Sequence, residues 1–330
     1  MSTLIPNSLG VRCEAERVIR ITGAGEALEA ARDLAGQYPL VLSEATNVIL
    51  LSHLRNPVLR SVNRGIRRLE SSESNLVRLW VEAGENWHDL VMWCVDEGVC
   101  GLENLALIPG SVGAAPVQNI GAYGAELAQF VERVEVVDLE EQISVSLSKE
   151  ACGFRYRHSV FKETPKYLIT AVVLVLPQDQ PANLSYGELA DRFTNTLPAS
   201  SRSLAEAVID IRTAKLPAPD QHPNVGSFFK NPVINETQAA RLASVVDGLV
   251  TYDAPNGVKL AAAQLIDRAG WRGVRRYGVE VWRNQPLVLV NASTDRGSDF
   301  LRMADDIAND IHDRYQIRLE LEPTVLGVEG

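Results

Sequence analysis

Residues 104–125 run without a single charged side chain. A run of that length can span a bilayer, which takes about 20 apolar residues. This one contains Gly110, Gly113, Gly121 and Gly124, Pro109 and Pro116, and the amides Gln118 and Asn119. Four glycines and two prolines defeat a helix, so a membrane span is excluded. Small residues around a few amides and hydroxyls instead let backbone approach a ligand closely, and successive N–H groups can form an anion-binding nest. A tight turn between core elements fits the same residues, so both readings stand at this point.

Composition narrows the class. The 330 residues carry 32 Lys and Arg against 42 Asp and Glu, a net charge of −10, with pI near 5.1. A chain this acidic lacks the basic face that displaces counterions from nucleic acid, and it is ill suited to anionic lipid. Hydrophobic residues at 46% and charged residues at 22% match ordinary globular domains, and the length allows two domains, or three small ones. The first ten residues lack a basic start and an apolar run, so no secretory signal is read there. Cys13, Cys94, Cys100 and Cys152 show no CxxC spacing and read as lone buried thiols in a reducing compartment. The expectation is a cytoplasmic protein.

Along the chain, residues 26–34 favour a helix, and 39–42 and 47–51 short strands. Val77, Leu79 and Val81 alternate with Arg78, Trp80 and Glu82 as a period-2 strand. Asn86 caps a helix whose Trp87, Leu90, Val91, Cys94 and Val95 share one face, and Gly98 stops it. Residues 134–139 and 143–147 form a hairpin, and 167–176 a buried strand. Linkers are expected around 177–181 and 217–223. Beyond the second, Asn235 and Gln238 make a capping box for a helix reaching about Val246. Further helices are expected over 260–269, ended by Gly270, and from a Ser298 cap with Leu301, Ile307 and Ile311 inward. Strands are expected over 287–291 and 317–322. The last ~110 residues read as a self-contained α/β domain.

Gly23-Ala24-Gly25 begins like a dinucleotide fingerprint, but Leu28 stands where the third glycine belongs, so it reads as a loop entering a helix. No GxxxxGK[ST], HExxH or GxSxG is present, and the five histidines are scattered, so no metal site is expected. Two further segments carry chemistry. Gly226-Ser227-Phe228-Phe229-Lys230-Asn231-Pro232 sets a serine and a lysine beside two aromatics, suited to a partly desolvated hydroxyl or to an ordinary anchored turn. In Gly153-Phe154-Arg155-Tyr156-Arg157-His158-Ser159, Arg and Tyr could clamp a carboxylate by charge-assisted bonds; taken alone, the segment fits a solvated basic face better.

Together these segments resemble the UDP-N-acetylenolpyruvoylglucosamine reductase family, the form with a closing tyrosine loop. The likeness runs from Asn7-Ser8-Leu9-Gly10 to Gly327. It includes Ala83-Gly84-Glu85-Asn86-Trp87-His88, Gly101-Leu102-Glu103-Asn104-Leu105, Ile108-Pro109-Gly110, Gln118-Asn119-Ile120-Gly121-Ala122-Tyr123-Gly124 and the Gly226–Pro232 segment. The resemblance implies an α/β fold: a vanillyl-alcohol-oxidase-type, two-part FAD-binding fold (residues 1–60 and 61–216) plus a C-terminal α/β substrate domain (217–330). FAD lies between the first two parts, and the third closes over the substrate.

The resemblance also implies the reaction. NADPH reduces the flavin, N5 gives hydride to C3 of UDP-N-acetylglucosamine-enolpyruvate, and protonation at C2 gives UDP-N-acetylmuramate for peptidoglycan synthesis. Such an enol ether accepts hydride only if charge developing on its carboxylate is stabilised by fixed donors. Arg157, supported by Tyr156, matches the catalytic arginine, Ser227 the proton donor to C2, and Glu322 the catalytic glutamate. Tyr123, Tyr186, Lys215, Asn231 and Gln285 carry over as further substrate contacts. Flavin contacts carry over to Ser43, Glu44, Ala45, Thr46 and Asn47, to Pro109, Gly110, Ser111, Gly113, Ala114, Asn119, Gly121, Ala122 and Tyr123, and to Arg212. Two departures stand out: the first flavin loop lacks the family's glycines, and Leu319-Glu320-Leu321-Glu322-Pro323 admits a register shifted by two. Ungapped alignment selects Glu322; as a strand, the segment would point Glu320 and Glu322 the same way.

An oxidase of the same flavin superfamily often tethers FAD through histidine, yet residues 41–51 contain none, so the FAD is expected to be non-covalent. A non-catalytic sugar-nucleotide-binding homologue would not need all three candidate catalytic residues. The family default is a monomer.

Overall fold

The computed structural model describes residues 2–254 and 256–328. The chain divides into two compact units: Met1–Thr3, Ala15–Glu44 and Asn56–Arg212 form one, and Leu4–Glu14, Ala45–Arg55 and Thr213–Gly330 the other.

The first unit is built on a five-stranded antiparallel sheet, in the order Ile143–Ser148, Val131–Asp138, Tyr167–Pro177, Leu76–Glu82, Ile66–Leu69. Its central strand, Tyr167–Pro177, is buried over most of its length, which explains an unbroken apolar run rather than alternation. Asn86 caps the helix Trp87–Asp96 by accepting the Asp89 N–H at 3.1 Å, and the helix buries Trp87, Leu90, Val91 and Cys94. Gly98 ends it at φ 66°, where a side chain would be strained. A smaller parallel sheet, Val18–Ile21, Val58–Ser61 and Leu40–Val41, packs with helix Ala24–Asp33 through Ile21, Ala27, Ala31 and Leu59.

The second unit holds a four-stranded antiparallel sheet ordered Asn224–Ser227, Val288–Asn291, Val279–Val281, Arg275–Arg276. Strands Val233–Ile234, Gly257–Leu260 and Thr251–Ala254 form a second sheet. The capping box of Asn235 and Gln238 starts helix Glu236–Ala243, which ends short of Val246.

Several expectations are corrected here. Leu260 closes a strand, so the next helix is Ala262–Arg268. The long helix is Gly297–Tyr315, with Arg296 at the N-cap position making no side-chain cap bond, Ser298 inside the helix and Phe300 rather than Leu301 fully buried. Gly297 is required because a Cβ there would overlap the Leu50 carbonyl. No strand covers 317–322; the final strand is Thr324–Leu326, paired in parallel with Val48–Leu50. The last ~110 residues are therefore not self-contained, since their closing strand takes its partner from residues 45–55.

The four thiols are unbonded to one another; Cys13, Cys94 and Cys152 are buried and Cys100 is half-buried. Burial pushes Cys94 and Cys152 up to about 12, which leaves both chemically quiet. No helix among the described residues is long and apolar enough to cross a membrane.

Candidate active site

In the first unit the uncharged window becomes a rigid frame rather than an open nest. Val112 donates to the Glu85 carbonyl and Gly113 to that of Ala83, both at 2.8 Å, and Trp87 donates to Gly110 at 2.9 Å. The N–H groups of Ala114, Ala115, Val117, Asn119 and Ile120 are also spent inside the loop. The expectation that successive N–H groups here cradle an anion is thus overturned for residues 112–115, 117, 119 and 120, because each has an internal acceptor. The small residues serve close packing instead: a Cβ on Gly113 would come within 2.6 Å of the Ala83 Cβ.

Asn119 is buried, and its amide bonds Glu126, the Arg155 carbonyl and the Ala128 N–H. Its side chain holds the loop together. Ser43 and Ser111 meet through their hydroxyls at 2.6 Å. Gly110 and Ser111 are buried, Glu44, Gly113, Ala114, Gly121 and Ala122 half-buried, and Pro109 exposed.

Among the assigned residues of this unit, Arg157 and Arg212 carry positive charge. Arg157 closes a tight turn in which Arg155 and His158 exchange backbone bonds at 3.0 Å. Its Nη2 donates to the Gly121 carbonyl at 2.8 Å, and its guanidinium lies 5.3 Å from the exposed Tyr156 ring. Arg212, at the end of the unit, has a buried Nε with no hydrogen-bond acceptor. Burial lowers its pKa, the charge of Arg157 lowers it further, and Tyr123 opposes both. Burial likewise raises the Tyr123 hydroxyl, with Glu188 adding to the rise and Arg212 opposing it. A buried guanidinium N–H without an acceptor is costly and calls for one from outside the protein. Tyr123 also meets Tyr186 edge-on, with ring centroids 5.1 Å apart. Both Arg157 (φ 52°) and Tyr123 (φ 49°) adopt the left-handed backbone, as do Asn119 and Ala45. Strain of ~1–2 kcal/mol per such residue concentrates at functional sites.

The second unit holds the remaining assigned residues. Ala45, Thr46 and Asn47 belong to it, so the chain leaves the first unit within the Ser43–Asn47 loop. Strand Asn224–Ser227 carries a bulge: Asn224 pairs with Val290 and Ser227 with Val288. Gly226 takes φ 74°, with its N–H bonded to Asn224 Oδ1 at 2.9 Å. Bulges re-aim side chains beside active sites, and half-buried Ser227 stands at the end of this one. Phe228 and Phe229, 0% and 2% exposed, anchor the turn with roughly 1.5–3 kcal/mol of burial each.

Phe228 accepts the Glu322 N–H at 3.1 Å, Lys230 donates to the Glu320 carbonyl at 2.9 Å, and Phe229 bridges Leu321. This registers Glu322 against the residue next to Ser227. Glu322 is buried, whereas Glu320 is exposed and pairs with Lys230 at 3.2 Å. The two glutamates do not share one setting, contrary to the strand expectation.

Lys215 ends helix Ser201–Lys215, its carbonyl held by Trp282 Nε1 at 3.0 Å. Asn231 Oδ1 accepts the Ala262 N–H at 3.0 Å, and Gln285 Oε1 that of Leu287 at 3.4 Å. Among the described residues no three His, Cys, Asp or Glu side chains are grouped to hold a metal.

Residues 218–326 match the family model described as UDP-N-acetylenolpyruvoylglucosamine reductase, C-terminal domain, and residues 16–145 match an FAD binding domain. The UDP-N-acetylenolpyruvoylglucosamine reductase of Polynucleobacter asymbioticus is 40% identical over 324 residues, covering 97% of this chain and 94% of that protein. The chain belongs to this reductase family. The protein of the same name from Alcanivorax borkumensis is 39% identical, over 97% of this chain and 93% of that one. The crystal structure of the UDP-N-acetylenolpyruvylglucosamine reductase from Thermus caldophilus shares the fold, with TM-score 0.69 at 23% identity over 99% of this chain and 98% of that one. For this reductase family member, the sequence assigns no role to Asn104 and His88, although both stand in motifs that carry the resemblance, and none to Asn224. Beyond that likeness, their signal is a polar side chain in an otherwise apolar or glycine-bounded run.

Proposed function

We propose that the protein reduces the enolpyruvyl ether of UDP-N-acetylglucosamine-enolpyruvate to UDP-N-acetylmuramate, with FAD as its non-covalent cofactor and NADPH as reductant, in peptidoglycan precursor synthesis. The observation that carries this reading is Ser227 at the end of a strand bulge, beside Phe228, whose carbonyl accepts the N–H of buried Glu322. It supplies a proton donor and an ionisable partner on a rigid support. The FAD fit rests on the buried Arg212 Nε, which lacks an acceptor that a flavin or its pyrophosphate would provide. Arg212, Ser43, Ser111 and the Gly110–Tyr123 frame would hold it, with Glu44, Ala45, Thr46, Asn47 and Pro109. When bound, FAD supplies the hydride, received from NADPH and passed to C3 of the substrate.

Arg157 binds the substrate carboxylate, where charge develops, and its bond to Gly121 fixes that orientation in advance. Tyr156 lies along its guanidinium. Ser227 gives its Oγ proton to C2, and Glu322 is assigned to the carboxylate side. Tyr123, Tyr186, Lys215, Asn231 and Gln285 hold the uridine diphosphate portion. Two FAD-binding subdomains over 1–60 and 61–216 and a substrate domain over 217–330 belong to the same proposal, as does a cytoplasmic monomer.

The test separates the half-reactions. NADPH oxidation should require the enolpyruvyl substrate. Ser227→Ala should leave NADPH reduction of the flavin intact and slow substrate turnover by ~10²–10⁴-fold, the usual contribution of a general acid. Slowed reduction by NADPH with normal turnover of substrate would remove Ser227 from this role.

A further inference from the structure

Asn104 lies in the uncharged window, 2% exposed, in the short turn Glu103–Leu105. That turn is rigid: Glu103 Oε2 accepts the Gly101 N–H at 2.7 Å, and the Leu105 carbonyl accepts Trp87 Nε1 at 3.0 Å. From this base the Asn104 amide nitrogen donates to two carbonyls, those of Tyr123 and Asn183, each at 2.8 Å. Both acceptors are carbonyl oxygens, so only the NH₂ end can face them, and both of its hydrogens are used.

The two carbonyls belong to different segments. Tyr123 stands in the left-handed backbone at φ 49°, a conformation that persists only where the surroundings over-determine it. Asn183 lies three residues before Tyr186. Asn183 Nδ2 donates to the Gly124 carbonyl at 3.1 Å, and its Oδ1 accepts the Ser185 hydroxyl at 2.7 Å and the Ser185 N–H at 3.1 Å. Gly124, at φ 83°, lets the segments meet, since a Cβ there would overlap Ser185 Oγ. Beyond this knot Tyr186 turns its ring edge to Tyr123 and opens the helix Gly187–Arg192.

We propose that Asn104 is a positioning residue that clamps the base of the Tyr186 segment to the Tyr123 loop, so that Tyr186 is presented to substrate from a fixed point. The proposal rests on the reading of Tyr186 as a substrate contact. A neutral amide is required. In Asn104→Asp a carboxylate would confront two carbonyls with no hydrogen to give, and Asn104→Leu keeps the bulk but donates nothing.

Both variants of the full-length protein should keep their flavin and their rate of flavin reduction by NADPH. The KM for the enolpyruvyl substrate should rise by ~10-fold or more, as loss of two buried hydrogen bonds allows, with kcat within about threefold. Amide hydrogen exchange at Ser185 and Leu189 should quicken. Should the buried site fail to fold, Gly124→Ala reaches the same knot from an exposed position and should show the same KM signature. Lowered flavin content with an unmoved KM would reduce Asn104 to a structural residue and overturn the proposal. Tyr186→Ala separates the two levels: a raised KM there with a normal KM in Asn104→Leu and Gly124→Ala overturns the clamp alone. An unchanged KM in Tyr186→Ala overturns the substrate role of Tyr186 and the clamp's purpose with it.

Discussion

His88 sits in the first turn of helix Trp87–Asp96, and its Nδ1 accepts the N–H of Leu107 at 3.1 Å. Burial lowers its pKa, Arg212 lowers it further, and Asp89 partly opposes them. A helix N-terminus also disfavours a cation. Because the folded-state pKa lies below the unfolded value, full stability is present above about pH 6.5, the unfolded value. It is lost as pH falls from there toward the folded pKa, since the unfolded chain binds the proton more readily. Replacing His88 by Gln keeps an acceptor for Leu107 but removes the titration. Between pH 8 and 5.5 the melting temperature of His88→Gln should therefore fall less than that of the parent; equal falls would show that His88 is not held neutral. At this scale the sequence hid the strained backbone. Glycine advertises positive φ, but Ala45, Tyr123 and Arg157 adopt it without any residue-type signal, so the arginine's turn was legible as chemistry and not as geometry.

At the level of elements, the turn at Ser227 and the segment before Pro323 set Glu320 and Glu322 apart. The alternation Ile317, Leu319, Leu321 suggested a strand presenting Glu320 and Glu322 together. The structure pairs only Leu321 with Phe229, and backbone bonds accepted by the Phe228 and Glu320 carbonyls bracket that single bridge. Without a continued ladder the period-2 rule has no hold, and the side chains part: Glu320 keeps 74% of its side chain exposed, while Glu322 is 9% exposed. An exposed Lys230–Glu320 pair contributes little. Glu322→Gln should thus lower turnover by at least ~10²-fold, with Glu320→Gln changing it by less than about tenfold; the reverse order in steady-state assays would move the catalytic role to Glu320. Elements whose signals are local were legible beforehand, as with the Asn86 cap, the Gly98 stop and the Asn235–Gln238 box. The helix over 297–315 begins one residue before the expected Ser298 cap, at Gly297, where glycine is demanded by the Leu50 carbonyl, 247 residues away in the chain.

For the whole molecule, the sequence marked a change of pattern near Pro217, and the chain does pass into its second unit at Thr213. What no local pattern could show is that this unit also takes Leu4–Glu14 and Ala45–Arg55. The parallel pairing of Thr324–Leu326 with Val48–Leu50 and the seat of Gly297 against Leu50 join residues far apart in sequence. Ile49 and Leu50 are wholly buried, so removing 45–55 strips apolar partners and leaves a strand's N–H and C=O groups unpaired. Both losses fall on the same edge, beside the segment that carries Glu322. A fragment of residues 213–330 should accordingly lack a cooperative thermal transition by circular dichroism and show poor amide dispersion by NMR. Tethering residues 45–55 to Gly330 through a flexible linker, long enough to restore the parallel pair, should recover a cooperative transition. If the bare fragment already melted cooperatively at the same temperature as the tethered one, the borrowed strand would be dispensable, and the interleaving of the two units would owe nothing to stability.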